Sequence, residues 1–230
     1  MNSTVKLDVR VYPIEEPKGA TVAFANVGID DMLAISGIRV VSGEKGAFVS
    51  MPQTQDKNGE YHNVAEPIND ALRKELNKAV LAEFKAVMSG HSLEQSVDAK
   101  IKGERENSLD IKVFPLKDPK SSTVAFADIT VDNLVAINGA RVVSGEKGNF
   151  VAMPQSKDKD GNFHDIAFPI TAELRKELNK AVLAEYDKAA DRPAERGSNF
   201  SDRLAEGAQK SAQYTKSAGA VAKGSPGLGD

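Results

Sequence analysis

Two matching segments of the chain carry five lysines at helical spacing, and the side chains of these lysines could neutralise an anion such as phosphate. Lys74, Lys78 and Lys85 fall on one side of a helix, opposite its apolar residues. Lys176 and Lys180 repeat the first two at equivalent positions of the second segment. This arrangement predicts a phosphate-contacting ridge; the alternative is an ordinary solvated helix face.

Arg73 and Arg175 stand next to these lysines, at the border of the apolar stripe. A fully solvated position is therefore not expected for either side chain. Each arginine could contact a ligand directly. Alternatively, its stem could be buried while its guanidinium pairs with a carboxylate or with backbone carbonyls, and we favour this second interpretation.

A second basic patch could form around a glycine-rich connection that occurs in both segments. Arg39 lies just before this connection and Lys45 within it in the first segment, and Arg141 and Lys147 occupy the same places in the second. The alternative, which we favour, is that each arginine pairs across strands with an acidic residue.

Catalytic and metal-binding patterns do not stand out in the sequence. Cysteine is absent, and His62 and His164 each lack a partner at metal-ligand spacing. Residues 158–162 fail as a calcium loop, because their glycine comes at the fourth position and Pro169 stands where a glutamate is required. We therefore predict a protein that is not an enzyme and that uses no cofactor or metal.

The two matching segments are copies of one module. Residues 7–88 align with 109–190 without a gap, and 47 of the 82 aligned positions are identical. Two copies are too few for a stacked solenoid, but each is long enough to be a small domain. We predict domains at 4–88 and 109–190, joined by a linker at 89–108.

Each copy has the same order of predicted elements. In the first copy the predicted strands are residues 5–12, 21–27, 32–41 and 47–51, followed by a polar loop at 53–63. A helix is predicted from about Asn69 to Met88, with Asn69, or Thr171 in the second copy, as its N-cap. The predicted fold class is α+β: two tandem domains, each a four-stranded antiparallel sheet with a C-terminal helix, paired as an intramolecular pseudo-dimer.

The segments outside the copies are polar. The linker at 89–108 is predicted to have short helical character over Leu93 to Ile101. The tail at 191–230 is rich in Gly, Ala, Ser and Lys, and we expect it to stay disordered because it cannot bury enough apolar surface.

Composition and charge narrow the class of protein. The chain is 40% hydrophobic and 27% charged, which is typical of globular proteins. Its net charge is −3 and no segment is strongly basic, so a polyanion could bind only at a local patch. No apolar run suits a signal peptide or a membrane span, so we predict a cytoplasmic protein with no membrane partner.

A long run in the second copy resembles a known family. Residues 137–154, INGARVVSGEKGNFVAMP, and then 160–170 and Arg175 are similar to the core of the stage V sporulation protein G (SpoVG) family. The resemblance implies a small domain of sheet and helix that forms a homodimer by pairing strands. It also implies a bacterial regulator of septation and sporulation that binds DNA and RNA.

The chain departs from the family just after its Met-Pro dipeptide, where members commonly have Met-Pro-Ser-Lys-Arg. The first copy has neither basic residue, and the second keeps one, Lys157. Because phosphate neutralisation supplies much of the affinity for nucleic acid, weaker or relocated binding is expected. The predicted nucleic-acid-binding residues are Lys74, Lys78, Lys85, Lys157, Lys176, Lys180, Arg73 and Arg175.

Two functions remain open on the sequence. The leading hypothesis is a cytoplasmic regulator that binds DNA or RNA without catalysis and acts in septation, sporulation or related gene regulation. The alternative is a protein-interaction module in septation with no physiological nucleic-acid ligand. Under either, exposed strand edges are expected to associate, within one chain or between chains.

Overall fold

Alternating apolar residues form a sheet in each repeat, as the sequence predicts. The structure is a computed structural model that describes residues 2–55, 58–91, 95–102, 108–157 and 160–190. Among these, residues 2–54 and 63–190 belong to one compact unit, and residues 55–62 belong to another. The predicted tail at 191–230 and parts of the predicted linker, 92–94 and 103–107, lie outside the described residues.

The described part of the first repeat contains seven strands and one helix. They are β1 (Asn2–Pro13), β2 (Thr21–Ile29), β3 (Leu33–Gly43), β4 (Gly46–Ser50), β5 (Gln53–Gln55), β6 (Tyr61–Asn63), β7 (Ala65–Pro67) and α1 (Asp70–Met88). A further strand, β8 (Gln95–Lys102), follows the helix.

The second repeat has the same order of elements. They are β9 (Leu109–Pro115), β10 (Thr123–Val131), β11 (Val135–Gly145), β12 (Gly148–Ala152), β13 (Gln155–Lys157), β14 (Phe163–Asp165), β15 (Ala167–Pro169) and α2 (Ala172–Ala190). The predicted α+β class, with an antiparallel sheet and a C-terminal helix in each of two tandem repeats, is confirmed.

Each of the two larger sheets is antiparallel and receives one short strand from the other repeat. The first sheet has the order β15-β3-β2-β1-β8, with β4 also paired to β3. The second has the order β12-β11-β10-β9, with β7 also paired to β11. The repeats therefore exchange β7 and β15.

Backbone hydrogen bonds extend the exchange on both sides of these short strands. The N–H of Asn138 donates to the carbonyl of Val64 at 2.7 Å, and the N–H of Ile68 donates to that of Leu134 at 2.8 Å. Equivalent bonds join the first repeat to the segment around β15 of the second, including Ser36 N–H to Ile166 O at 2.7 Å. Unpaired strand groups are costly when buried, so the exchange satisfies donors and acceptors that either sheet alone would leave open.

Each helix covers one face of its sheet. Leu72, Leu76 and Val80 of α1 are fully buried, as are Leu7 and Val9 of β1. Full burial of such a side chain contributes roughly 1.5–3 kcal/mol. The predicted N-cap is confirmed for α1, where the side-chain oxygen of Asn69 accepts from two backbone N–H groups at 3.0 and 3.1 Å.

Two predictions about connecting segments are wrong. The helical character expected over Leu93 to Ile101 is not found, because residues 95–102 form β8 antiparallel to β1. Val97, Ala99 and Ile101 alternate with polar residues, and this two-residue period places Ala99 and Ile101 in the core. The predicted loop at 53–63 contains the short strands β5 and β6. No helix within the described residues is long and apolar enough to cross a membrane.

Candidate nucleic-acid interface

The predicted lysine ridge lies on the solvent side of both helices. Because Leu72, Leu76 and Val80 face the sheet, Lys74, Lys78 and Lys85 are exposed on the opposite side of α1. In α2 the buried residues are Leu174, Leu178 and Val182, and the exposed lysines are Lys176 and Lys180. We refer to these five lysines as the helix lysines.

Acidic neighbours neutralise only part of this charge. Lys78 Nζ lies 3.7 Å from Glu75 Oε2, a long contact between exposed groups that is worth little. The other four helix lysines form no ion pair with a described residue. Lys188, which sequence reasoning did not include, lies in the last turn of α2, and its Nζ is 2.6 Å from Glu185 Oε1.

The two arginines beside the ridge hold the exchanged strands. Arg73 donates from Nη2 to Glu66 Oε2 at 2.7 Å and to the carbonyl of Pro67 at 2.6 Å. Arg175 donates from Nη2 to the carbonyl of Pro169 at 3.1 Å. Pro67 and Pro169 end β7 and β15, so each arginine fastens its repeat's own helix to the strand donated to the other sheet. These contacts match the pairing in the alternative interpretation, but its buried stem does not hold for Arg175, which is exposed, whereas Arg73 is half-buried.

Lys157 lies apart from the helices along the chain, in the hairpin of β13 and β14. It stands opposite Phe163 in the strand register, and its Nζ lies 5.7 Å from the centre of that ring. This distance suits a cation–π contact at an exposed site, worth about 0.5–1 kcal/mol. The structure thus shows Lys157 packed over an exposed ring.

Arg39 does not pair with an acid, so that prediction is wrong. Its Nη2 donates to Ser50 Oγ and to Gln53 Oε1, both at 3.1 Å. The reason is the register of β3 and β4, which places Ser50 directly opposite Arg39. Both acceptors are neutral, and Arg39 has no carboxylate partner among the described residues.

Aromatic residues on the outer face of the first sheet were missed in the sequence analysis. Tyr12 lies opposite Phe24, and Phe24 lies opposite Arg39 in the next strand. Tyr12 is 50% exposed and Phe24 44% exposed. Alternation could have revealed them, because they occupy the positions between the buried residues of β1 and β2.

Lys6, by contrast, is neutralised. Its Nζ lies 3.2 Å from Asp8 Oδ2 and 3.1 Å from Asp31 Oδ2. Hydrogen bonds to Asp31 and Asp8 raise the pKa of Lys6 above its usual value. Burial raises the pKa of Asp8, but hydrogen bonds with Ser96 and Lys6 outweigh burial, so this pKa lies below its usual value.

The described residues contain no group of three His, Asp or Glu side chains that could hold a metal ion. His62 is buried in the first repeat, whereas His164 is exposed. The arrangement that remains is a set of exposed cations on two helices and one arginine held on a sheet.

Known proteins resemble each repeat. The SpoVG family model matches twice, at residues 5–86 and 107–188. A protein of Anaeromyxobacter sp. (strain Fw109-5) is 38% identical over 89 residues, which span 36% of this chain and 90% of that protein. A protein of Treponema denticola is 40% identical over 77 residues, spanning 34% of this chain and 83% of that protein. Both are named "Putative septation protein SpoVG".

The two family matches cover equivalent parts of the two repeats, from the first strand to the helix. Together they span more than half of the 230 residues. The chain therefore belongs to the SpoVG family and contains two copies of the family's domain in tandem.

Proposed function

We propose that this chain is a cytoplasmic bacterial regulator that binds DNA or RNA without catalysis and acts in septation, sporulation or related gene regulation. The observation that supports this most is the exposure of all five helix lysines on the solvent sides of α1 and α2. Only Lys78 among them has an ion pair to a described residue, so most of this charge is available to phosphates.

Phosphate contact would account for binding through counterion release. Each phosphate that a lysine neutralises frees condensed cations, so the logarithm of affinity falls with that of salt by about 0.9 per contact on duplex DNA. Such contacts fix position and add little sequence preference. Binding through the helix lysines is therefore expected to weaken steeply with salt and to discriminate weakly among sequences.

The test is fluorescence anisotropy of labelled duplex DNA, single-stranded DNA and RNA, titrated with the protein over a salt series. The variant Lys74→Glu/Lys176→Glu changes equivalent positions of the two helices. We expect it to weaken binding and to lower the salt slope by about one for each phosphate that is no longer neutralised. Adding Lys78→Glu/Lys180→Glu is expected to abolish binding.

A matched control separates the ridge from net charge. Lys18→Glu/Lys120→Glu also changes two equivalent, exposed lysines and alters the net charge equally, but it lies in the loops before β2 and β10. This control is expected to bind nearly as well as the unchanged protein. Equal losses in both variants, or a flat salt dependence, would contradict the role of the helix lysines.

The alternative function is a protein-interaction module in septation with no nucleic-acid ligand. The net charge of −3 and the missing basic pair after Met51-Pro52 favour it. The quadruple lysine variant decides between the two in cells. Normal septation and gene expression with that variant would favour the protein partner.

Self-association belongs to the same proposal. The strand edges pair within one chain, an interpretation supported by the pairing of β7 with β11 and of β15 with β3. Light scattering is then expected to give a monomer near 24.6 kDa. A mass twice as large at all concentrations would instead indicate exchange between chains.

A further inference from the structure

The outer face of the first sheet displays a row of side chains that runs across three strands. Tyr12 on β1, Phe24 on β2 and Arg39 on β3 are direct neighbours in the register. Their chain neighbours Val11, Ala25 and Ile38 are buried, so the row points away from α1. We call these three residues the outer row.

The outer row is partly open to solvent. About half of each ring is exposed, at 50% for Tyr12 and 44% for Phe24. Adjacent strands are about 4.8 Å apart, so the row spans roughly 10 Å, enough for two or three stacked bases. On β4, Phe48 is also 50% exposed and adds a third ring near the hairpin.

The Phe48 ring and the Arg39 guanidinium are held in place. A Cβ atom added at Gly43 would lie 3.2 Å from Cε1 of Phe48, which shows how closely that ring packs on the hairpin. Arg39 is fixed by its hydrogen bonds to Ser50 and Gln53. Because both acceptors are neutral, the guanidinium is oriented and its charge has no carboxylate partner among the described residues.

We infer that the outer row binds the unstacked bases of a single-stranded nucleic acid, with Arg39 contacting a phosphate or stacking on a base. The inference rests on the proposed nucleic-acid function and adds a second surface on the side of the sheet away from the helix. Aromatic rings on a sheet stack on bases, and a fixed guanidinium supplies both charge and a planar face. Duplex DNA hides the faces of its bases, so it gains nothing from this surface.

The second repeat has the same row in a less basic setting. Phe114, Phe126 and Arg141 occupy the equivalent register positions. Next to Phe126 on the outer face, Asp128 replaces Asn26 of the first repeat. A carboxylate beside the row repels phosphate, so the first repeat provides the stronger single-strand site.

The experiment measures anisotropy of labelled poly-U RNA, poly-dT DNA and duplex DNA with the full chain. Tyr12→Leu/Phe24→Leu keeps apolar side chains on the strands but removes both rings. Each stacking interaction is worth about 1–3 kcal/mol, so we expect single-strand affinity to fall about tenfold or more, while duplex affinity stays unchanged. The RNA and DNA arms show which single strand is preferred.

Two further variants sharpen the assignment. Phe114→Leu/Phe126→Leu makes the same change in the second repeat and is expected to reduce single-strand affinity by a smaller factor. Arg39→Gln removes the charge and is expected to weaken single-strand binding with a smaller salt slope. Thermal melting of each variant reports whether the fold is retained.

The outcomes separate this inference from the proposed function. If the unchanged protein binds none of the three probes at low salt, both fail. If it binds single strands and Tyr12→Leu/Phe24→Leu binds them equally well, only the outer row fails. An equal loss of affinity for duplex and single strands would also overturn the inference. So would self-association through the outer row, which light scattering would show as a larger mass for the unchanged protein than for Tyr12→Leu/Phe24→Leu.

Discussion

β1 and β9 are equivalent strands of two similar repeats, but only β1 has a described strand on each side. β1 lies between β2 and β8, whereas β9 pairs only with β10 among the described residues. As a result Leu7 and Val9 are fully buried, and the equivalent Leu109 and Ile111 are half-buried. The same apolar pattern thus gives a central strand in one repeat and, among the described strands, an edge strand in the other.

The difference comes from a segment outside the duplicated module. β8 follows the first repeat and shields its sheet edge, and it also packs against α1. Accordingly α1 buries residues along more of its length, including Ala79 and Glu83, whereas the equivalents in α2 stay more accessible. Burial in a repeat protein is set by neighbours as much as by the repeat itself.

The largest expected effect is on stability, from the same truncation made in both strands. Leu7→Ala removes a fully buried side chain and leaves a cavity, which typically costs about 2–5 kcal/mol. Leu109→Ala removes a side chain that is only half-buried, on a strand edge that no described strand covers, so we expect about 1–2 kcal/mol. Urea unfolding of the two variants measures the contrast. Equal losses would mean that β9 is as well covered as β1.

The next effect concerns the arginines that hold the exchanged strands. Arg73→Ala breaks hydrogen bonds to both Glu66 and Pro67, and is expected to cost about 1–2 kcal/mol. Arg175→Ala breaks the bond to Pro169 alone, because Phe168 stands where Glu66 does, and is expected to cost about 0.5–1 kcal/mol. Thermal denaturation of Arg73→Ala and Arg175→Ala shows which variant loses more stability. A larger loss for Arg175→Ala would contradict this account of the exchange.

The sequence predicts what depends on local pattern and not what depends on distant partners. Alternation predicts β1, and spacing predicts the buried stripe of α1 and the exposure of the helix lysines. The short strands β7 and β15 have three residues each and no readable period, and their partners lie in the other repeat. The acceptors of Arg39 depend on the pairing of β3 with β4, which places Ser50 opposite it, and on where the chain then brings Gln53, and neither follows from the local pattern of residues. The strand β8, by contrast, could have been predicted from the alternation of Val97, Ala99 and Ile101 with polar residues.

The edge of β9 that no described strand covers suggests a test by association. Lys112 is exposed on this strand, and a lysine on an edge strand discourages pairing with another chain. Lys112→Val is therefore expected to increase the mass measured by light scattering as concentration rises. The matched change, Arg10→Val, lies on β1, which is paired with β2 at this position and with β8 up to Val9, and it is expected to leave the protein monomeric. Association of both variants to the same extent would show that the edge is not the cause.

The smallest expected effect is on the pH dependence of stability, and it also distinguishes β1 from β9. Since the folded state lowers the pKa of Asp8, its ionised form stabilises the fold above the unfolded pKa of about 3.9, and this contribution is lost as pH falls through the lower folded value. Asp8→Asn should therefore reduce stability slightly at pH 7 and not at pH 2. The measurement is the difference between the urea midpoints at pH 7 and pH 2, which should be smaller for Asp8→Asn than for the unchanged protein. Asp110→Asn is the matched control, because Asp110 is exposed and has no ion pair with a described residue. If both variants narrow the gap equally, the hydrogen bonds from Ser96 and Lys6 are not its source, and β8 then contributes to the first repeat through strand pairing and apolar burial.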